Sequence, residues 1–300
     1  MNQPNPTLAR ASDDPSRAHL SEPGSAAPLG VYLRRLWSMR AYAISRARNG
    51  VKALNADNIL GDLWLLLEPA LLIGIYFLVF GVIADVRRNL DNFLAFLTVG
   101  QVVFTHSRRG IVQAASSLSR GAPLLQSFAF PRAVLPMAET LNALFTFLTS
   151  LVVMLAVVLI LGESVRVGWL WVAPLAVGQL LMNFGIGLLL ARMVTRFADV
   201  RTALDYLFRL TLYASGVLFP IQQFLLDSDR ADLWLRLVVI NPFYDLIYLY
   251  RWAILGIEPE YSGLMLVACM LWIVLSLVVG MVWFVAGERR YSGAKTIVKL

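Results

Sequence analysis

The chain has 300 residues, of which 58% are hydrophobic and 15% are charged, and its mean hydropathy is +0.68. This composition excludes an ordinary soluble domain and predicts an integral membrane protein. The net charge of +7 does not indicate a nucleic-acid partner, because the arginines flank apolar segments. Cys269 is the single cysteine, and His19 and His106 are far apart, so neither a disulfide nor a metal site is expected.

The first 60 residues divide into two parts. Residues 1–30 are rich in proline, serine and aspartate without periodicity, which predicts a disordered cytoplasmic tail. They lack the early basic cluster and apolar core of a cleaved signal peptide. In residues 31–60, apolar and aromatic residues alternate with arginines, which predicts an amphipathic interfacial helix on the cytoplasmic face of the membrane. A soluble amphipathic helix is the alternative.

Six apolar segments follow, and they predict an all-α integral membrane protein with six transmembrane helices over residues 61–286. A span needs about 20 apolar residues, and the second segment is short by that measure. With six spans both termini lie on one side, which the arginines at the segment ends identify as cytoplasmic. Residues 287–300 then form a cytoplasmic C-terminal tail. The predicted spans are about 63–83, a segment that begins near Phe93, about 133–161, 169–191, 203–219 and 263–285.

The segment 221–256, between the fifth and sixth spans, is apolar and aromatic but too charged to cross the membrane. We interpret it as two half-depth helices, broken at Asn241 and Pro242, that re-enter from the outer face. Irregular backbone at that depth needs protein or a water-filled cavity beside it, which predicts a pathway. Aromatic residues near the span ends either form an interfacial belt or line a channel in which their rings stack on sugars. The channel-lining candidates are Trp64, Tyr76, Phe104, Tyr213, Phe219, Tyr244, Tyr248, Tyr250 and Trp252.

No motif for nucleotide binding or catalysis occurs in the chain. The phosphate loop Gly-x-x-x-x-Gly-Lys-Ser/Thr is absent; if a nucleotide powers transport, we expect another subunit to bind it. Neither a nucleophile elbow nor a His-Glu-x-x-His metal site is present. We therefore predict no catalytic residue and no metal ligand. A membrane enzyme is left as an alternative through four carboxylates: Glu68, Glu139, Asp199 and Asp205.

Ionisable residues inside predicted spans indicate function by default, because each costs roughly 2.5–3.5 kcal/mol near the bilayer centre. Glu68 and Glu139 lie near predicted span ends, where they can face lipid headgroups or cap the backbone. Arg108, Arg109 and Arg209 lie deeper, where they either pair with carboxylates or meet an anionic cargo. Pairing is the interpretation we favour.

Five stretches that occur in order along the chain carry a resemblance to a known family. They are LWLLLEPALLIGIYFLVFGVI (63–83), LLQSFAFPRAVLPM (124–137), LLLARMVTRFADVRTALDYLF (188–208), YASGVLFP (213–220) and NPFYDLIYLYRWAILG (241–256). In these stretches the chain resembles the membrane subunit of ABC-2-type exporters for O-antigen, capsule, teichoic acid and related cell-wall polymers. One difference concerns Gly216, which stands where such chains often have proline in a Ser-Pro-Val turn, so the resemblance does not imply the local kink before Phe219.

The resemblance implies a bacterial homodimer in the cytoplasmic membrane that exports a lipid-linked polysaccharide such as O-antigen or galactan. Two ATPase subunits would bind ATP and Mg and supply the energy, while this chain holds no cofactor. The cytoplasmic segment 118–132 would dock on the ATPase, and the outer re-entrant segment would line the exit. Teichoic acid, a small lipid or a drug as cargo, and a membrane-embedded transferase, are the alternatives. The implied ATPase-coupling residues are Arg120, Gln126, Phe128, Phe130, Pro131 and Arg132.

Overall fold

A computed structural model describes residues 28–54, 60–79, 92–121, 130–197, 199–221, 231–259 and 262–293. Every regular element in these ranges is helical, which confirms the predicted all-α class for the part of the chain described. The α-helices are α1 (Leu29–Ser38), α2 (Arg40–Leu54), α3 (Trp64–Tyr76), α4 (Phe93–Arg120), α5 (Val134–Ile160), α6 (Val172–Arg196), α7 (Asp199–Ala214), α8 (Ala231–Val238), α9 (Pro242–Leu255) and α10 (Ser262–Gly293).

Three helical stretches within the described ranges are long and apolar enough to cross a membrane: Val134–Ile160, Val167–Arg196 and Gly263–Glu288. They correspond to the third, fourth and sixth predicted spans. The first predicted span contains a shorter apolar helix, Leu67–Val79, and continues into residues outside the described ranges. The second and fifth correspond to α4 and α7, which carry several charges. The count of six spans stays a prediction.

The hydroxyl side chains of α5 are compatible with an apolar surrounding because they bond to the helix's own backbone. Thr140 Oγ1 donates to the Pro136 carbonyl oxygen at 2.8 Å, and Thr146 Oγ1 donates to Asn142 O at 3.1 Å. Such bonds to the carbonyl four residues earlier satisfy a polar group without any partner outside the helix.

The helix α4 lies at the centre of the fold, antiparallel to α5 along its whole length. At one end, Asn92 Nδ2 donates to the Leu161 carbonyl oxygen at 3.1 Å, and at the other end Gly121 packs against Leu135. Halfway between, the His106 and Phe147 rings stack with their centroids 4.2 Å apart. Phe147 is the central residue of the 27-residue α5, so His106 lies at the middle level of this spanning helix.

The helix α6 covers a second side of α4 at the same level. Gln179 Nε2 donates to the Val103 carbonyl oxygen at 2.9 Å, and Gly110 packs against Asn183. On its far side α6 packs closely on α10, where a Cβ on Gly185 would collide with the backbone of Ser276. Small residues of this kind let spanning helices approach each other at the backbone.

The amphipathic segment forms two helices, α1 and α2, separated by a turn at Met39, where the sequence predicted one. The small residues Ala43 and Ala47 are buried against the first half of α5, and Asn142 Nδ2 donates to the Ala47 carbonyl oxygen at 3.0 Å. The N-terminal helices are therefore packed onto the domain.

Candidate functional site

Two ion pairs lie on α4 close to the level of the central residue of α5. Arg109 Nη2 binds Glu68 Oε1 on α3, and Arg108 Nη2 lies 3.3 Å from Asp205 Oδ1 on α7. The side chains are 30% and 46% exposed in the first pair and 49% and 50% exposed in the second. Charges at mid-depth in a membrane protein face a water-filled cavity or another protein surface. The surface between α3 and α7 is therefore the candidate lining of a polar pathway.

This pairing follows the favoured interpretation for Arg108 and Arg109, and it changes the interpretation of Glu68. The Glu68 carboxylate, which we expected to face headgroups or cap a helix, binds an arginine instead. The third deep arginine, Arg209, lies with its guanidinium carbon 5.7 Å from the Tyr206 ring centroid.

The polar surface of α4 continues from these pairs toward one end of the helix. Thr105, Arg109, Gln113 and Arg120 are half-buried or exposed, at spacings close to whole helical turns. Arg120 Nη2 donates to the Gln113 carbonyl oxygen at 2.9 Å. The opposite half of α4, residues 93–104, is almost entirely buried. Thr105, Arg109, Gln113 and Arg120 thus form a polar stripe on α4 that runs from mid-depth to the predicted coupling segment.

The predicted coupling segment is described at its two ends, and Gln126 and Phe128 lie outside the described residues. At its start, Arg120 Nη2 lies 3.6 Å from Glu139 Oε2. At its end, the backbone N–H of Arg132 donates to Glu288 Oε1 at 3.2 Å, and its Nε lies 3.9 Å from the same oxygen. Each end is therefore held by one carboxylate.

Between those ends, two further coupling candidates contact the protein. The Phe130 ring lies 6.3 Å from the Tyr42 ring, centroid to centroid. The Pro131 carbonyl oxygen accepts the backbone N–H of Val134 at 3.0 Å as α5 begins.

The same carboxylates connect the coupling segment to the N-terminal helices. The Tyr32 hydroxyl of α1 donates to Glu288 Oε2 at 2.7 Å and accepts the backbone N–H of Ala133 at 3.2 Å. Burial, with the adjacent Glu288 carboxylate, raises the pKa of Tyr32, so the hydroxyl stays a neutral donor. Arg46 of α2 lies 3.8 Å from Glu139 Oε1. A displacement of the coupling segment would therefore act on α1, α2 and α10 together.

The channel-lining candidates do not share one surface. Trp64 and Tyr213 are exposed, whereas Tyr250 is fully buried and its hydroxyl donates to Gln179 Oε1 at 3.1 Å. The side chain of Tyr76 lies outside those described. The lining role stays a prediction for each of these residues. Of the others, Phe104, Tyr244 and Tyr248 are buried, and Phe219 and Trp252 are half-buried.

The buried Arg251 of α9 forms hydrogen bonds to α4 and to the turn that follows α7. Its guanidinium donates to the carbonyl oxygens of Phe96, Gly216 and Val217 at 3.2, 2.8 and 3.0 Å, and lies 3.3 Å from the centroid of the Phe96 ring. Gly216 has a φ of +62°, which proline cannot adopt. The turn before Phe219 is thus formed by a left-handed glycine, in place of the proline that resembling chains often have.

Sequence reasoning missed the roles of Tyr32 and Glu288 and gave Glu139 no partner. One signal was present, since both acids lie among arginines at the predicted cytoplasmic ends of spans. The partners themselves lie far away in the chain. Glu139 is 93 residues from Arg46 and 19 from Arg120. Glu288 is 156 residues from Arg132 and 256 from Tyr32. Such separations are invisible to a motif search.

Comparison with known proteins gives several similar relatives, among them the following two. The O-antigen export system permease protein RfbA of Myxococcus xanthus is 27% identical over 219 residues, covering 73% of this chain and 82% of that protein. The protein of the same name from Klebsiella pneumoniae is 23% identical over 203 residues, covering 67% of this chain and 75% of its own length. No family model matches the chain. The chain is therefore similar to O-antigen export permeases, in agreement with the resemblance found in its sequence.

Proposed function

We propose that this chain, as a relative of O-antigen export permeases, is the membrane subunit of an ATP-driven exporter of a lipid-linked polysaccharide. The observation that carries the proposal is the pair of half-exposed ion pairs, Arg109–Glu68 and Arg108–Asp205, at the middle level of the spanning helices. A surface that faced only lipid would not carry them. A hydrophilic polysaccharide that crosses the membrane needs a polar lining of this kind.

A second copy of the chain completes the pathway. The charged surface lies between α3 and α7, on the outside of the protomer. Polar groups at this depth are tolerated where protein or water covers them, and a homodimer with these surfaces facing each other supplies both. A homodimer also has the closed two-fold symmetry that is commonest among oligomers.

Two ATPase subunits bind ATP and Mg and drive export from the cytoplasmic side. The contacts that support this step are those of Glu139 and Glu288, which hold the two ends of the predicted docking segment against four helices. A segment held this way transmits a push from outside into the membrane domain. The arginines around it support a cytoplasmic location for both termini.

The outer part of the pathway is formed by a re-entrant pair, α8 and α9. The first residues of α9 lie at mid-depth, since the Phe243 ring is 6.1 Å from Phe104 and 5.8 Å from Phe208, centroid to centroid. Its last turn lies beside the start of the α6 span, where Trp169 Nε1 donates to the Ile254 carbonyl oxygen at 3.1 Å. This course supports a helix that returns to the face from which the chain entered.

A membrane-embedded transferase is a weaker candidate. Of the four carboxylates considered for catalysis, Glu68, Glu139 and Asp205 each bind an arginine. Asp199 is exposed at the first residue of α7. In the described residues these carboxylates are thus engaged or isolated, and a general acid and base at catalytic spacing do not result. No observation favours teichoic acid, a small lipid or a drug over a polysaccharide.

The proposal is tested by deleting the gene and measuring polymer inside the cell and on its surface. Loss of the chain should leave lipid-linked polymer in the cytoplasm, with drug sensitivity unchanged, and a plasmid copy should restore the surface polymer. The purified chain alone should neither transport nor modify a lipid-linked glycan. Unchanged surface polymer in the deletion strain would refute the proposal.

A further inference from the structure

A narrow cleft lies between α3, α4 and α5, behind the Arg109–Glu68 ion pair. Its outer edge is formed by these two charged side chains, and its inner wall includes Gln101 and His106 of α4. His106 is stacked on Phe147, so the cleft lies at the middle level of the α5 span. The candidate pathway described above uses its edge and leaves its inner wall unexplained.

The inner wall carries polar atoms that have no partner among the described residues. His106 is 3% exposed; one ring nitrogen is directed at the backbone of Ala143, and neither nitrogen forms a hydrogen bond of good geometry with the described residues. Gln101 is 6% exposed; its Nε2 donates to Thr105 Oγ1 at 3.2 Å, but its Oε1 has no donor. Buried polar atoms without hydrogen bonds cost folding free energy, and their presence calls for a ligand or a functional reason.

Packing alone would not select histidine at position 106. The imidazole lies almost parallel to the Phe147 ring, with an interplanar angle of 13°. A phenylalanine could make the same stack and would bury no polar atom. The backbone of Ala143 can serve only one of the two nitrogens, so the other needs an explanation outside the fold.

The chemistry of the cleft fits hydroxyl groups. With its N–H directed at the backbone of Ala143, a neutral imidazole still offers one bare acceptor nitrogen, and Gln101 Oε1 offers another acceptor. At the edge, Arg109 supplies donors and Glu68 supplies acceptors, and their charges cancel. A phosphate would meet the Glu68 carboxylate with only one cation beside it. Hydroxyls, which both donate and accept, match every group in the cleft.

We infer that this cleft, whose free volume of about 20 Å³ has room for one water-sized group, is a subsite inside the membrane for a single hydroxyl of the exported glycan, with His106 and Gln101 as its inner wall and Arg109–Glu68 at its edge. The inference rests on the proposed function, and it adds a place on the protomer where the sugar chain is held during its passage. Water occupies the same groups when no sugar is present.

Two substitutions at one position separate binding from packing. His106→Phe keeps the stack on Phe147 and removes both nitrogens, whereas His106→Gln keeps a donor and an acceptor and loses the ring. Gln101→Leu removes the other unpartnered acceptor. Asn183→Leu is the matched control: Asn183 is also fully buried with an unpartnered amide, at the same level of α4, but it packs against Gly110 outside the cleft.

The variants are expressed in the deletion strain together with the ATPase. Surface polymer, intracellular polymer and the melting temperature of the purified complex are measured for each. His106→Phe and Gln101→Leu should lower export at least tenfold with a melting temperature equal to or above that of the wild type. His106→Gln should export within threefold of the wild type, and Asn183→Leu should gain stability without losing export.

Wild-type export by His106→Phe and Gln101→Leu would overturn the inference and leave the cleft as a water site. Loss of export that follows a lowered melting temperature in both His106 variants would overturn it in favour of a structural role. Failure of the proposed function is seen separately, because the deletion strain would then keep its surface polymer before any variant is compared.

Discussion

The Tyr32 hydroxyl donates to Glu288 Oε2 at 2.7 Å across 256 residues of sequence, and so joins α1 to α10, the first and last of the described helices. Arg132, at the end of the predicted coupling segment, donates its backbone N–H to the other oxygen of the same carboxylate. The contact makes α1 and α10 part of whatever movement the coupling segment transmits.

Tyr32→Phe should destabilise the protein and weaken coupling. The substitution removes a hydrogen bond to a charged acceptor in a buried position, which is worth about 1.5–3 kcal/mol. We expect a lower melting temperature of the purified chain, and export reduced more than ATPase activity in the assembled complex. Tyr42→Phe is the control, since Tyr42 is exposed and its ring contact with Phe130 is kept.

The raised pKa of Tyr32 predicts how the stability of the protein depends on pH. Its folded-state pKa is raised above the ordinary value of about 10, so the folded state holds the phenolic proton more tightly than the unfolded state does. The resulting stability is fully present below pH 10 and is lost as the pH rises above it. Melting temperatures measured from pH 8 to pH 11 should fall more steeply for the wild type than for Tyr32→Phe. Parallel curves would contradict the buried hydrogen bond.

Glu139→Gln should uncouple ATP hydrolysis from export. The carboxylate is only 18% exposed and faces Arg46 of α2 and Arg120 at the start of the coupling segment, so its neutralisation releases both. Because both arginines are exposed to solvent, each ion pair contributes little, and we expect the loss of stability to be below about 1 kcal/mol. We expect ATPase activity of the complex to persist while export falls several-fold.

Glu163→Gln provides the comparison for that experiment. Glu163 accepts a hydrogen bond from Asn92 Nδ2 at 3.1 Å, at the far end of α4 from the coupling segment. This variant should export normally. Equal loss of export in both variants would show that the position of the carboxylate near the coupling segment is irrelevant.

Glu68 and Arg109 should be thermodynamically coupled. Arg109→Glu places a second carboxylate beside Glu68 at mid-depth and should lower both the amount of protein in the membrane and its melting temperature. The reversed pair Glu68→Arg with Arg109→Glu should recover much of the stability, because direct neighbours typically show interaction energies of about 0.5–3 kcal/mol. Additive effects of the two single variants would argue against the ion pair.

Gly216→Pro should destabilise the turn even though resembling chains often carry proline there. The φ of +62° at this position is incompatible with proline, and the Gly216 carbonyl oxygen accepts from buried Arg251. We expect a loss of about 1–3 kcal/mol, measured by thermal unfolding. Gly30→Ala is the control, because a methyl group at Gly30 would contact no described part of the protein within 4 Å beyond its own helix backbone and its neighbours in the chain.

Local composition was enough to find the strongest spans. The stretches Val134–Ile160 and Gly263–Glu288 are long runs of mostly apolar residues, and their lengths meet the thickness of a bilayer. The second predicted span, α4, was harder to judge. It forms an unbroken helix of 28 residues, but its charged half is not apolar enough to be recognised by hydropathy.

The amino-acid sequence by itself therefore determined the membrane class, the helical fold and the resemblance to exporter permeases, because these depend on residues close together in the chain. Tertiary packing decided which charges meet. Glu68 binds Arg109 and Tyr32 binds Glu288 because helices far apart in sequence are brought side by side. It also buried Tyr250, which composition alone cannot distinguish from an exposed interfacial tyrosine, since burial depends on the neighbouring helices that surround a side chain.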